Sequence, residues 1–212
     1  MRTKALLCAA ALAAGAVSSM AQSNVYSLNV VGYVNLPVAG SAAGAFTFIA
    51  NPLNNTNNNI ASLIPNPPDG TTLFKWTGSA FVSSTFFLGA WSDGTFTLNP
   101  GEGGIVQSSA PFTNTFVGEV MQGSLANPYP AGFSIKASQV PQTGTLTQLN
   151  LPGSQLSDGD TVYQFNPTSG NYTINTWFLG AWSPAEPTIA VGESFWLQTA
   201  AAGSWNRTFT VQ

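Results

Sequence analysis

The chain has 212 residues, only 6% of them charged, a formal net charge of −3 and no histidine. Soluble proteins carry about 25% charged residues, yet a hydrophobic fraction of 44% and an aromatic fraction of 12% indicate a packed core rather than disorder. So few basic residues form no phosphate-neutralising patch, which excludes nucleic acid as a partner.

Met1-Arg2-Thr3-Lys4 is a short basic start, followed by an apolar run over residues 5–17 and then Ser19-Met20-Ala21. This is the pattern of a secretory signal peptide, with small residues where the peptidase reads and cleavage after Ala21. The apolar run is shorter than the about 20 residues that a spanning helix needs. No other stretch reads as a transmembrane helix. Cleavage removes Arg2, Lys4 and Cys8. Lys75, Lys136 and Arg207 then face eight acidic residues, a net charge of 3 − 8 = −5. Without cysteine or histidine the exported chain has no disulfide, no thiol nucleophile and neither the usual general base nor the usual zinc ligands. No cofactor and no metal site is expected, and the chain is read as a non-enzyme.

The rest of the sequence is a duplication. Val31-Gly32-Tyr33-Val34 matches Val117-Gly118-Glu119-Val120, and Phe46-Thr47-Phe48-Ile49-Ala50 matches Phe133-Ser134-Ile135-Lys136-Ala137. The stretch 69–76, Asp-Gly-Thr-Thr-Leu-Phe-Lys-Trp, matches 158–165, Asp-Gly-Asp-Thr-Val-Tyr-Gln-Phe. Phe87-Leu88-Gly89-Ala90-Trp91-Ser92 recurs letter for letter at 178–183, and 97–107 matches 188–198. The offset drifts from 86 at Val31 to 93 at Thr115, so the insertions are small and belong in loops.

Between turn signals such as Asp69-Gly70, Pro100-Gly101 and Asn166-Pro167, short segments rich in β-branched and aromatic residues alternate with polar ones. That alternation predicts antiparallel strands with one buried and one wet face. Only residues 59–64 read as a helical turn, capped by Asn59 and stopped by Pro65. The expected fold is all-β: two tandem copies of an antiparallel β-module, sandwich- or barrel-like, with a closely coupled interface. Each copy should hold about five or six strands. The domains are a signal peptide at 1–21, a first module at 22–116 and a second at 117–212. Residues 116–120 should form a strand shared at the join, and residues 29–35 should pair with the closing segment 208–212.

Chemistry is restricted to carboxylates, hydroxyls, amides and rings. Glu102 and Glu193 occupy equivalent positions. They read as turn acceptors for backbone N–H groups, and alternatively as a glycosidase pair flanking one bond. Asp158 and Asp160 read as a turn, with a calcium site as the alternative. Trp91 and Trp182 are the candidate ligand platform: either core or interface rings, or sugar-stacking surfaces in the repeated hexapeptide.

The motifs Phe46-Thr47-Phe48-Ile49-Ala50-Asn51-Pro52-Leu53, Asp69 to Trp76 and Leu98-Asn99-Pro100-Gly101-Glu102-Gly103 resemble a tandem β-module of uncharacterised secreted bacterial proteins, often multi-domain and surface-associated. The second copy departs from it, with Ser138-Gln139 in place of Asn51-Pro52 and Val191 in place of Pro100. The resemblance implies export and β architecture and assigns no catalytic residue. The functional expectation is therefore an exported structural or adhesive protein of the cell surface, periplasm or matrix. Neutral glycans or other surface proteins are its expected partners. A carbohydrate-binding module and a carboxylate glycosidase are the alternatives. The secretion reading predicts a mature N-terminus at Gln22. Intact-mass spectrometry of the exported protein should show it, and a retained 5–17 segment would overturn the reading.

Overall fold

The computed structural model describes residues 30–211, so the signal-peptide reading of residues 1–21 lies outside the described residues. The first module runs β1 (Val31–Val38), β2 (Ala45–Ala50), helix α1 (Ile60–Leu63), β3 (Thr72–Trp76), β4 (Phe81–Phe87), β5 (Ala90–Trp91), β6 (Gly103–Ser108) and β7 (Phe112–Glu119). The second runs β8 (Gly123–Tyr129), β9 (Gly132–Ala137), β10 (Gly144–Thr145), a 3-10 turn (Gly153–Gln155), β11 (Thr161–Asn166), β12 (Asn171–Phe178), β13 (Ala181–Ser183), β14 (Thr188–Ile189), β15 (Ser194–Thr199) and β16 (Gly203–Phe209). The strand numbers exceed the expected five or six because each hexapeptide contributes a short strand and β10–β14 adds a two-residue ladder.

The two modules share one topology. Their five-stranded antiparallel sheets have the orders β2-β6-β3-β4-β5 and β9-β15-β11-β12-β13. A two-stranded ribbon, β1-β7 or β8-β16, accompanies each. The register carries the duplication residue by residue. Phe46 pairs with Gln107 as Phe133 pairs with Gln198. Trp76 pairs with Phe81 as Phe165 pairs with Tyr172, and Phe86 pairs with Trp91 as Trp177 pairs with Trp182.

Each module has its own core. Ile49, Leu73, Val106 and Trp91 project from the first sheet onto Val38 and Phe116 of its ribbon, with Ile60 and Leu63 of α1 closing the side. Val162, Ile189, Phe195 and Leu197 pack with Tyr129, Trp205 and Leu146 in the second. The α1 segment forms where expected, but Asn59 makes no side-chain cap bond; its main-chain carbonyl accepts from Leu63 N at 2.9 Å.

One expectation is corrected. The opening strand pairs with β7 of its own module, from Val31 opposite Glu119 to Val38 opposite Phe112, and not with the closing segment. The closing strand β16 pairs with β8. Each ribbon covers its own core, anchored by the buried rings of Phe116 in the first and of Tyr129 and Trp205 in the second. The strand expected at the join does form: β7 runs through 116/117 to Glu119, and β8 then opens at Gly123 with a left-handed φ of 85°.

Trp91 is a core residue, 8% exposed, with its indole N–H donating to Ile64 O at 2.9 Å. Trp182 is partly buried against the second core, and its buried indole nitrogen has no hydrogen-bond partner among the described residues. Trp91→Ala should therefore lower the unfolding free energy by about 3–5 kcal/mol. Trp182→Ala should cost clearly less, because less ring is buried and no hydrogen bond is lost. Denaturant unfolding of both variants checks this; equal costs, or the reverse order, would contradict it.

Candidate functional site

The site lies where the modules meet. Ala50 N of β2 donates to Gly192 O at 2.8 Å, and its counterpart Ala137 N of β9 donates to Gly101 O at 3.1 Å. Bridges Ile49 to Glu193 and Lys136 to Glu102 repeat the relation. Each module's sheet edge thus receives the turn that enters the other's β15 or β6, in a reciprocal arrangement. The approach is close: a Cβ on Gly103 would sit 2.3 Å from Ile135 Cγ2 and 2.6 Å from Ser194 Cβ. Glycine is required there by space.

This junction brings the second faces of the two sheets together. Phe48, Ile105 and Ile135 are buried in the seam, with Phe74, Trp76, Phe165 and Trp196 packed partly against them. Central strand β6 is consequently buried on both faces, so Ile105 and Val106 point to different cores. The rings interlock at tilted and edge-on angles, which suit the aromatic quadrupole. Phe48 lies 5.4 Å from Phe165, Trp76 5.5 Å from Trp196, and Trp196 5.9 Å from Phe81.

The seam is not closed throughout, and its most apolar opening lies among the rings. A cleft of about 370 Å³ is lined by Phe46, Phe48, Phe74, Phe81, Ile105, Phe165, Tyr172 and Trp196. Phe46, Phe81 and Tyr172 are exposed at its wall. The duplication explains the opening. Ile105 stands opposite Phe74 where Trp196 stands opposite Tyr163, and Phe165 holds the register of Trp76. On the Phe133 side the two tryptophans take up more of the space, beside a smaller cavity of about 260 Å³: Trp76 donates its indole N–H to Phe133 O at 3.0 Å, and Trp196 lies 5.8 Å from Phe133. On the other side, the smaller Ile105 and Phe165 leave room.

The residues singled out from sequence lie elsewhere or are already engaged. Trp91 and Trp182 do not line the cleft. Glu102 Oε2 accepts from Asn99 N at 2.9 Å and Lys75 Nζ at 3.1 Å. Glu193 accepts from Ala190 N at 2.8 Å and Gln164 Nε2 at 2.9 Å. Both are turn acceptors. Asp160 accepts from Ser157 N and Ala200 N, while Asp158 accepts from Leu179 N. The two aspartates therefore serve different backbone groups. Among the described residues, no group of three or more acidic, His or Cys side chains is arranged to hold a metal.

The three cations among the described residues are likewise held. Lys75 Nζ donates to Thr97 O as well as to Glu102. Arg207 donates to Gln142 Oε1, and burial lowers its pKa. Lys136 donates to Asn127 Oδ1 and Pro128 O; burial lowers its pKa, and the Glu102 carboxylate partly restores it. Tyr129 is shifted upward, first by burial and then by Asp160.

The closely coupled interface was expected from sequence; the rings that form it were not, although a signal exists. Leu73 and Phe74, like Val162 and Tyr163, place apolar residues in both registers of one strand, which marks burial on two faces. No family model, curated protein or solved structure matches the chain.

Lys136 yields a pH test. Its folded pKa lies below the 10.5 of the free side chain, so between the two the unfolded chain binds more protons. Stability from this group is therefore lowest at neutral pH and rises towards 10.5. Lys136→Met removes the titration. The stability of the wild type minus that of the variant, from denaturant melts, should increase across that window; a flat or falling difference would contradict the burial.

Proposed function

We propose that this is an exported, non-enzymatic β protein with a structural or adhesive role at the cell surface, in the periplasm or in a matrix. It acts by gripping apolar groups of a partner in the seam cleft. The observation that carries this reading is the open aromatic cleft between two otherwise tightly joined modules. The secretory pattern in residues 1–21 supports export. The carboxylates favour no catalytic reading, because Glu102 and Glu193 each bond within their own turn.

Carbohydrate binding remains the second reading, favoured by the exposed rings of Phe46, Phe81 and Tyr172. The lining argues for an apolar partner instead. A sugar site sets several polar groups beside its stacking rings, whereas Tyr172 and Trp196 bring the only side-chain polar atoms to this lining.

Trp76 and Trp196 at the seam report on occupancy by their fluorescence. Anilinonaphthalene sulfonate, an apolar aromatic probe, should bind saturably. Ile105→Trp, which puts the β15 residue into β6, should weaken it by about tenfold or more, about 1.4 kcal/mol. Neutral oligosaccharides should leave the signal unchanged. Saturable binding of an oligosaccharide, lost in Ile105→Trp, would favour the carbohydrate reading and overturn this one.

A further inference from the structure

Two apolar hairpin tips stand outside every core. Leu88-Gly89 joins β4 to β5, and Leu179-Gly180 joins β12 to β13. The φ angles are 52° and 82° in the first turn and 50° and 82° in the second. Positive φ at both central residues is the type I′ turn, which matches the twist of its strands and favours Asn-Gly. Leucine in left-handed backbone is strained by its Cβ. Solvent gives it no return, since Leu88 is 80% exposed and Leu179 78%. Phe87 and Phe178 are exposed beside them.

Turn geometry selects asparagine here, and exposure selects a polar side chain. Neither selects leucine, yet both copies keep Phe-Leu-Gly-Ala. The hairpin at the other end of the same strands differs between copies: Thr77-Gly78-Ser79-Ala80 against the longer turn at 166–171. The identity at the tips is not imposed by the fold. It fits a surface kept for contact.

We propose that these tips dock into the seam cleft of a second copy of this chain, giving head-to-tail assembly. The inference rests on the reading of the cleft as a binding surface and names its occupant. Three observations select a second copy. The tip is an uncharged Phe-Leu pair and the cleft wall is almost wholly carbon and aromatic. The cleft volume of about 370 Å³ lies at the small end of ligand sites, which span about 300–1,000 Å³; that scale suits a pair of side chains. Phe81 at the cleft and Phe87 at the tip lie at opposite ends of β4, six residue steps and so about 20 Å apart. A chain therefore does not fill its own cleft with this tip. Charge argues against an anionic lipid surface. Asp158 accepts from Leu179 N at one tip, Asp69 precedes the Gly70 that bonds Phe86 O at the other, and all three cations are bound elsewhere. Joining a tip to a distant cleft is a heterologous contact, which builds a ring or an open filament.

Sedimentation velocity of the exported chain over a wide concentration range tests this. The wild type should form oligomers that grow with concentration. Leu88→Asn with Leu179→Asn, which supplies the preferred turn residue, should retain the fold by circular dichroism and sediment as a monomer. Ile105→Trp should also be monomeric alone. Should that variant not fold, Phe81→Ser, which opens the wall at an exposed ring, replaces it. Mixing the tip variant with the cleft variant should restore a heteromer, because one offers tips and the other a cleft. A monomeric mixture, or a tip variant that assembles like the wild type, would overturn the proposal. A wild type that stays monomeric while its cleft binds anilinonaphthalene sulfonate would overturn self-docking alone and leave the cleft reading standing.

Discussion

Two backbone hydrogen bonds, Ala50 N to Gly192 O and Ala137 N to Gly101 O, fix how the modules meet. They place each sheet edge against the turn that feeds the other module. Once that is set, the second faces of both sheets are driven together and their rings lose contact with water. Each module alone has about the size at which a single core is marginal. The seam provides a third core, around Phe48, Ile105 and Ile135, that neither module has by itself. Gly103 is the steric condition for it, because a side chain there would wedge the backbones apart.

Within this reciprocal frame the copies solve the same local problems with different chemistry. The buried site at Thr71 is satisfied by a hydroxyl contact with Ser108, whereas its counterpart Asp160 accepts two backbone N–H groups. The glutamate turn is held by Asn99 and Lys75 in one copy and by Ala190 and Gln164 in the other. These exchanges preserve hydrogen bonding and leave the framework alone. The exchanges at Ile105 and Trp196, and at Trp76 and Phe165, do something else: they redistribute volume along the seam. The Phe133 side keeps a cavity of about 260 Å³ and the other side an aromatic cleft of about 370 Å³. The asymmetry of the seam comes from side-chain size at two equivalent pairs.

Much of the architecture was legible in the sequence because it depends on local rules. Turn dipeptides and alternating segments located the strands, and the matched blocks located the duplication down to register, as at Phe46 and Phe133. Partner choice was not legible. Residues 29–35 match the start of the second block in letters, but pairing follows the core each ribbon must cover, and that is a tertiary property. The candidate site was less legible still. In the repeated hexapeptide the tryptophan is the largest ring and the most visible candidate, yet Trp91 is occupied with its core and Ile64 O. The unusual residue is Leu88, whose oddity lies in its φ and exposure and has no signature in composition. A coupled interface was legible, but its rings were hidden, because a strand with apolar residues in both registers can as well face two cores as carry one exposed ring.

The central claim is that the seam makes the two modules one cooperative unit. Differential scanning calorimetry tests it most directly. At a concentration where the chain is monomeric, the account requires a single transition whose calorimetric enthalpy equals its van't Hoff enthalpy. Two resolved transitions, or a van't Hoff enthalpy near half the calorimetric value, would mean that the modules melt independently and that the seam is a contact rather than a shared core.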